Sequence, residues 1–325
     1  MSEFEQSAVF TPFTLPSGLT LKNRVVKAAM EENLAEADLT PSQVLKNVYN
    51  EWAKGGCGLI ITGNVMVDHL AMTGPGGLAL EQQTDIAPFA ELARLGQQND
   101  CKIVMQINHP GRQVFKKMGG KALSASDIAL NMGKHSHLFA QPTAMDKSEI
   151  SDVIARFTHT AQQAEKAGFN GVQIHAAHGY LLAQFLSPLT NKRDDEWGGS
   201  LENRARLLLE ITRSIKAQCS AGFSVSVKLN SADFQRGGFE PHDAQAVVNM
   251  LSALKLDFVE LSGGSYEAPA MQGTTGDERT LAREAYFLEF AKAISEQSNI
   301  PIMTTGGISR LDVANTVISS GVALA

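Results

Sequence analysis

The sequence lacks the features that would place it in several function classes. Its 325 residues include three cysteines, Cys57, Cys101 and Cys219, scattered and odd in number. No Cys-x-x-Cys occurs, which removes the ligand spacing of a zinc knuckle or an iron–sulfur cluster. Isolated thiols in apolar or small-residue surroundings suit a reduced, cytoplasmic protein. No apolar run reaches ~18 residues, so no membrane span is expected. The first residues, "MSEFEQSAVF", have neither the basic start nor the apolar core of a signal peptide. Lys and Arg nowhere cluster and the net charge is −6, which argues against a nucleic-acid partner. The first strand leads into "AAMEENLAEADLTP", without the G-x-G-x-x-G of an open dinucleotide-binding sheet.

What is present is a repeated alternation. Short runs rich in Val and Ile begin at Arg24 (RVVKAA), Gly58 (GLIITG), Lys102 (KIVMQI), Gly171 (GVQIH), Phe223 (FSVSVKL), Asp257 (DFVELS) and Ile300 (IPIMTT). Each is bounded by Gly or polar residues, as a strand buried on both faces should be. A last fragment, "VALA", starts at Val322. Helical patterns occupy residues 41–55, 85–99, 149–167, 201–221, 242–254, 281–297 and 310–319, with Ser148 and Ser309 as start signals for two of them. Seven βα units and the start of an eighth predict a single (β/α)₈ barrel domain over residues 1–325. The segment 108–147 is the longest that fits no repeat, and a loop of that length is usually functional.

Barrel chemistry sits at the C-terminal ends of the strands. That rule gathers Ala28 to Glu32, then Thr62, Gly63 and Asn64, then Gln106, Asn108 and His109. It adds His175, His178 and Tyr180, then Lys228 and Asn230, then Ser262, Gly263 and Gly264, and last Thr304, Thr305, Gly306 and Gly307. His175 and His178 are not read as a metal pair, because one closes a strand, the other lies in a turn, and no third ligand is near in sequence. They read either as loop caps or as two N–H donors aimed at one oxygen, polarising a carbonyl as charge builds on it. Tyr180 can then deliver a proton to the neighbouring carbon, or simply pack. Gly306 and Gly307 open a helix and suit a phosphate. An inward Lys228 must face something negative or electron-rich, and Gln106 offers both a donor and an acceptor. A ring with polar edges and a phosphorylated tail fits this set.

The stretch "IHAAHGYLLAQFLSPLTNKRDDEWGGSLENRARLLLEI" resembles the diagnostic segment of the Old Yellow Enzyme family of FMN-dependent NAD(P)H:flavin oxidoreductases and ene-reductases. The nearest match is its His-x-x-His subgroup, with dienoyl-CoA and xenobiotic reductases. "LKNRVVKAAM", "GLIITGN", "MQINHPGRQ", "VSVKLN" and "IPIMTTGGI" extend the resemblance over nearly the whole chain. It implies that His175 and His178 hold a carbonyl or nitro oxygen and that Tyr180 is the proton donor. It implies that Gln106 meets the flavin pyrimidine edge, with Lys228 near N1 and O2 where the family often has arginine. Ala28, Ala29, Met30 and the Gly63–Asn64 backbone would frame the ring, and Gly306 and Gly307 would bind the FMN phosphate. Hydride would pass from NAD(P)H through the flavin to the β-carbon of an activated alkene in an enone-like small molecule. NADH and NADPH both stay open as co-substrates, and so does a homo-oligomer.

Two departures stand out. Where the family commonly has Ser-Pro-Met and then Cys or Thr, this chain has Ala28, Ala29, Met30 and Glu31. A carboxylate near the flavin disfavours the electron-rich reduced ring or is itself protonated; the other reading turns Glu31 to solvent or to a lysine. The family also continues through strand eight with a Gly-x-Gly-Arg-like segment and a closing helix, whereas "SSGVALA" ends this sequence. It therefore reads as C-terminally truncated, with an exposed edge strand and an uncovered core. The competing expectations are a flavoprotein with weak or no FMN binding and no turnover, and a phosphate-binding lyase using Lys228 as a Schiff-base amine.

Overall fold

The computed structural model describes residues 7–270 and 287–325. The barrel strands are β1 (Val26–Lys27), β2 (Leu59–Ile61), β3 (Lys102–Asn108), β4 (Gly171–Ala176), β5 (Ser224–Asn230), β6 (Val259–Ser262) and β7 (Ile302–Thr304). They are parallel and lie side by side in chain order. Between them run α1 (Gln43–Lys54), α2 (Ala87–Gly96), α3 (Lys147–Lys166), α4 (Leu181–Leu186), α5 (Leu201–Gln218), α6 (Pro241–Ser252), α7 (Leu288–Ser295) and α8 (Leu311–Ser319). The sixth helical pattern, 281–297, starts six residues before the described ones resume at 287. No helix among the described residues is long and apolar enough to cross a membrane.

Two helices start at residues other than the expected Ser148 and Ser309. The N-cap of α3 is Asp146, which accepts from the Glu149 N–H while the Glu149 carboxylate accepts from the Asp146 N–H. This reciprocal capping box puts Ser148 inside the first turn. The α8 helix follows Arg310 with no side-chain cap, so Ser309 is not its start. The short α4 was not foreseen; all six of its residues are buried, so they show no polar face from which to read a helical period.

Side-chain alternation divides the barrel wall in two. Ile103, Met105 and Ile107 of β3, Val172 and Ile174 of β4, and Val225, Val227 and Leu229 of β5 pack outward in the main apolar cluster with the helices. A second cluster fills the lower interior: Val26, Leu59, Ile61, Val104, Phe258, Met303 and Leu324, plugged from below by Leu15 and Leu21. Leu21 belongs to an antiparallel pair, Phe13–Thr14 with Thr20–Leu21, and Leu15 lies in its turn. The Ser17 N–H at this turn donates to Asp257, whose other oxygen accepts from Val225. Above the apolar floor the inward positions turn polar, and that layer is the candidate site.

The expected exposed edge is not what forms between β7 and β1. Ala323 N–H donates to Ile302 C=O (2.8 Å) and Thr304 N–H to Leu324 C=O (3.2 Å). On the other side Val26 N–H donates to Ala325 C=O (2.8 Å) and Ala325 N–H to Arg24 C=O (3.1 Å). A few extended residues thus bridge the two edges, because a parallel ladder needs only alternate N–H and C=O groups on each side. Leu324 is fully buried against the inner floor. We expect Leu324→Ala to lower unfolding free energy in urea by about 2–5 kcal/mol. The exposed Leu70→Ala control should stay within about 0.5 kcal/mol. Equal effects would show that the bridge contributes no packing.

Candidate active site

The turn after β4 sets the site. His178 (φ 57°) and Gly179 (φ 74°) both lie in the left-handed region, uncommon for a residue with a side chain and frequent at functional turns. A Cβ at 179 would meet Gln113 Oε1 at 2.8 Å and Ser265 Cβ at 3.0 Å, so glycine is required there. The His178 N–H donates to Asn230 Oδ1 (3.1 Å) at the end of β5. The reversal brings the His175 and His178 ring centroids to 5.1 Å and the His175 and Tyr180 rings to 4.8 Å, edge to face. The three residues proposed from sequence therefore form one group.

Their protonation follows from burial. His175 Nδ1 accepts from the Ala177 N–H (3.2 Å), which places the ring proton on Nε2. Burial, then His178 and Lys228, hold the His175 imidazole well below the usual histidine range. Burial, then Lys228, does the same for His178, whose Nε2 lies 2.8 Å from Ser262 Oγ. Both rings are neutral at pH 7. Burial pushes the Tyr180 phenol well up, with Tyr266 and Glu31 adding to it, so the phenol keeps its proton. Its oxygen is 3.2 Å from Tyr266 Oη and 3.5 Å from Asn64 Nδ2. Tyr266 was missed from sequence because it follows β6 in a loop without local signature.

Deeper in the barrel, register builds a polar chain. Gln106 pairs in register with Gln173, and Lys228 with Glu260. Gln106 Nε2 donates to Gln173 Oε1 (2.7 Å), Gln173 Nε2 to Glu260 Oε2 (2.8 Å), and Lys228 Nζ to Glu260 Oε1 (2.8 Å). The negative group that an inward Lys228 required is the chain's own Glu260, which is fully buried. With its amine held this way, the lyase expectation has no observation in its favour. Gln173 and Glu260 are visible in the sequence as polar residues within apolar strands, but only the register pairs them with Gln106 and Lys228.

Buried polar atoms without partners mark what this layer can receive. Asn108, inward two residues above Gln106, has neither side-chain atom bonded, and Asn64 Oδ1 is also unpaired. An unpaired buried amide costs about 1–3 kcal/mol, so these groups suit a ligand with polar edges. Gly63 contributes space rather than donors. Its N–H donates to Tyr49 Oη (3.0 Å), its C=O accepts from Thr62 Oγ1 (2.8 Å), and a Cβ there would collide with Met30 C=O and the Glu32 carboxylate. Tyr49 in turn donates to Glu32 (2.8 Å).

Ala28, Met30, Gly306 and Gly307 line a cavity of about 570 Å³ between β1 and β7. Both glycines have positive φ, 108° and 70°. Ala28 and Ala29 also pack on the inner apolar floor, while Met30 is 56% exposed. His175, Tyr180, Gln106 and Lys228 do not line this cavity. The two groups meet through Met30, whose carbonyl crowds Gly63, and Asn64, which reaches Tyr180. Glu31 is exposed and accepts from Thr73 rather than from a lysine, yet its charge raises both the Tyr180 and Tyr266 phenols.

The segment 108–147 is folded, with short strands Leu123–Ser124 and Thr143–Ala144 paired in parallel. Arg112 anchors it to Glu267 (2.6 Å) and to the Ala129 carbonyl (3.0 Å). His135 and His137 are exposed in a 3₁₀ turn. Phe139 stacks on Phe115 and touches Tyr266 edge-on, which ties this segment to Tyr180.

Residues 8–324 match the sequence profile of the NADH:flavin oxidoreductase / NADH oxidase family. The chain is 34% identical over 334 residues to the NADH-dependent flavin oxidoreductase iliE of Hypocrea jecorina, covering 95% of this chain and 82% of that protein. The fold superposes on a 2-naphthoyl-CoA reductase with TM-score 0.90 at 24% identity, covering 98% of this chain but only 49% of that one. An Old Yellow Enzyme homologue from Zymomonas mobilis gives TM-score 0.80 at 24% identity, over 97% and 86% of the two chains. The chain belongs to the NADH:flavin oxidoreductase / NADH oxidase family, the Old Yellow Enzyme group of FMN-dependent, NAD(P)H-using TIM-barrel oxidoreductases.

Proposed function

We propose that this flavin oxidoreductase reduces an activated carbon–carbon double bond, as in an α,β-unsaturated carbonyl compound. One observation carries the reading: the His175 Nε2–H, with no hydrogen-bond partner among the described residues, stands beside a phenol kept protonated by burial. Bound FMN supplies the hydride, which it takes from NAD(P)H. Gln106, Asn64 and Asn108 offer polar contacts for the ring, the Lys228–Glu260 pair sits beneath them, and Gly306 and Gly307 suit the phosphate.

The chain's own residues do the rest. The neutral His175 donates to the substrate oxygen as negative charge develops there. His178 Nε2 shares a hydrogen bond with the Ser262 hydroxyl (2.8 Å); in the tautomer where the hydroxyl donates, the His178 proton sits on Nδ1 and His178 is the second donor. Tyr180 gives its proton to the carbon next to the carbonyl, and Tyr266, 3.2 Å away, refills it. The buried surroundings exclude water from these hydrogen bonds and strengthen them.

We expect Tyr180→Phe to slow reoxidation by a cyclic enone by about 10²–10⁴-fold. Anaerobic reduction by NADH or NADPH should stay unchanged in the same stopped-flow instrument. Undiminished enone reduction would remove the proton-donor role. Glu31→Thr is expected to raise the flavin reduction potential in anaerobic redox titration, since it deletes a negative charge felt at Tyr180. A midpoint identical to wild type would show that this charge does not reach the ring.

Acid sensitivity follows from the neutral imidazoles. Burial lowers His109 to about 4, against 6.5 for the ordinary group. A histidine lowered on folding stabilises fully above its unfolded value and loses that stability as pH falls through the window. Stability should therefore drop from pH 6.5 toward 4, by about 1.4 kcal/mol per pH unit for this residue. Comparing urea unfolding of wild type and His109→Gln across that range checks it; parallel pH curves would contradict it.

A further inference from the structure

We propose that Cys57 and Cys101 form a peroxide-reactive dithiol pair at the floor of the barrel, with Cys57 as the attacking sulfur and Cys101 as the resolving one. The product is a disulfide that joins the starts of β2 and β3.

The pair lies at the N-terminal ends of the strands, the opposite face from His175 and Tyr180. Cys57 stands two residues before β2 and Cys101 immediately before β3. The Lys102 N–H donates to the Gly58 carbonyl (3.0 Å), which holds the two backbones side by side. The sulfurs are 3.7 Å apart, so a bond of about 2.05 Å needs an approach of only about 1.7 Å. Each thiol also has a carbonyl within reach, Trp52 for Cys57 (3.7 Å) and Lys102 for Cys101 (3.3 Å).

Access separates the two. Cys57 is half-buried and lines a cavity of about 340 Å³ with Lys27, Glu51, Trp52, Gly55 and Gly56. Cys101 is 1% exposed and does not line it. Lys22 and Lys27 bring positive charge to Cys57. Lys27 is shared with Glu32 (3.3 Å) and lies over the Trp52 ring, while Glu51 is paired with Lys54 (2.8 Å). The hydrogen bond from Cys101, then the two lysines, draw the Cys57 thiol down against the opposing effect of burial. The same bond and burial push Cys101 up. Thiolate character and access thus fall on one sulfur, as attack requires. Cys219 has neither advantage: burial and then Glu165 push it up to about 12.

The chemistry balances with hydrogen peroxide as the oxidant. The Cys57 thiolate attacks one peroxide oxygen and breaks the O–O bond. The sulfur becomes a sulfenic acid, and the departing hydroxide takes up a proton as water. Cys101 then attacks that sulfur, loses its proton and expels a second water. Two thiols are oxidised to one disulfide, and one peroxide is reduced to two waters.

The test is to add a few equivalents of hydrogen peroxide to the reduced holoenzyme, alkylate under denaturing conditions, and measure intact mass and peptides. The expected result is loss of two hydrogens and a fall in alkylated cysteines from three to the single Cys219, with Cys57 and Cys101 in one crosslinked peptide. In Cys101→Ser, Cys57 should stop at a sulfenic acid trapped by dimedone; in Cys57→Ser, Cys101 should stay alkylatable. Retention of all three thiols in the wild-type protein would overturn the proposal. So would oxidation of Cys219 before the pair, or sulfinic acid at Cys57 with Cys101 still reduced. The wild-type measurement decides whether or not either variant folds.

Discussion

The Lys228–Glu260 ion pair, closed at 2.8 Å inside the barrel, is the interaction around which the site is arranged. Both charges are out of water, so neither can lose its partner without a large desolvation cost. The remaining Glu260 oxygen holds Gln173, and Gln173 holds Gln106. Four strands are thereby tied by side chains as well as by their ladders. The polar layer lies directly on the apolar floor of Val104, Phe258 and Met303. The positive charge at Lys228 also helps keep both imidazoles neutral. Structure and electrostatics are coupled here: the residue that anchors the layer also sets the protonation of the groups above it.

Above that layer the geometry depends on one turn. A left-handed His178 followed by a left-handed Gly179 reverses the chain within a few residues. The reversal converts a sequence separation of three into an edge contact between His175 and His178, and then places Tyr180 against His175. Tyr180 meets Tyr266 from beyond β6, and Tyr266 meets Phe139 from the long segment after β3. Tyr180 is therefore linked, through Tyr266, to the part of the chain that differs most from the barrel repeat. A segment of this kind can vary without disturbing the wall.

The two ends of the strands carry different chemistry. The C-terminal ends gather neutral imidazoles, a protonated phenol and unpaired amides. The N-terminal ends of β2 and β3 carry two adjacent thiols beneath lysines. Rigid strands separate them, so a change at the floor need not move a residue at the mouth.

Much of the barrel was legible from sequence because βα alternation is local: each strand run and each amphipathic helix announces itself within a dozen residues. His175, His178, Tyr180, Gln106 and Lys228 could be named because the strand-end rule converts position into a face of the barrel. Other features depend on contacts between residues far apart in the chain. Glu260 as the partner of Lys228 and Tyr266 as the neighbour of Tyr180 are set by register and loop path. So are the commitment of the Gly63 N–H to Tyr49 and the bridge of Ala323 to Ala325 across β7 and β1. Sequence alone determined the order of elements and the residue types at the mouth, since both follow from short-range patterning. Only the tertiary structure decided which charges are paired and which polar atoms remain open, because those depend on distances that periodicity does not encode.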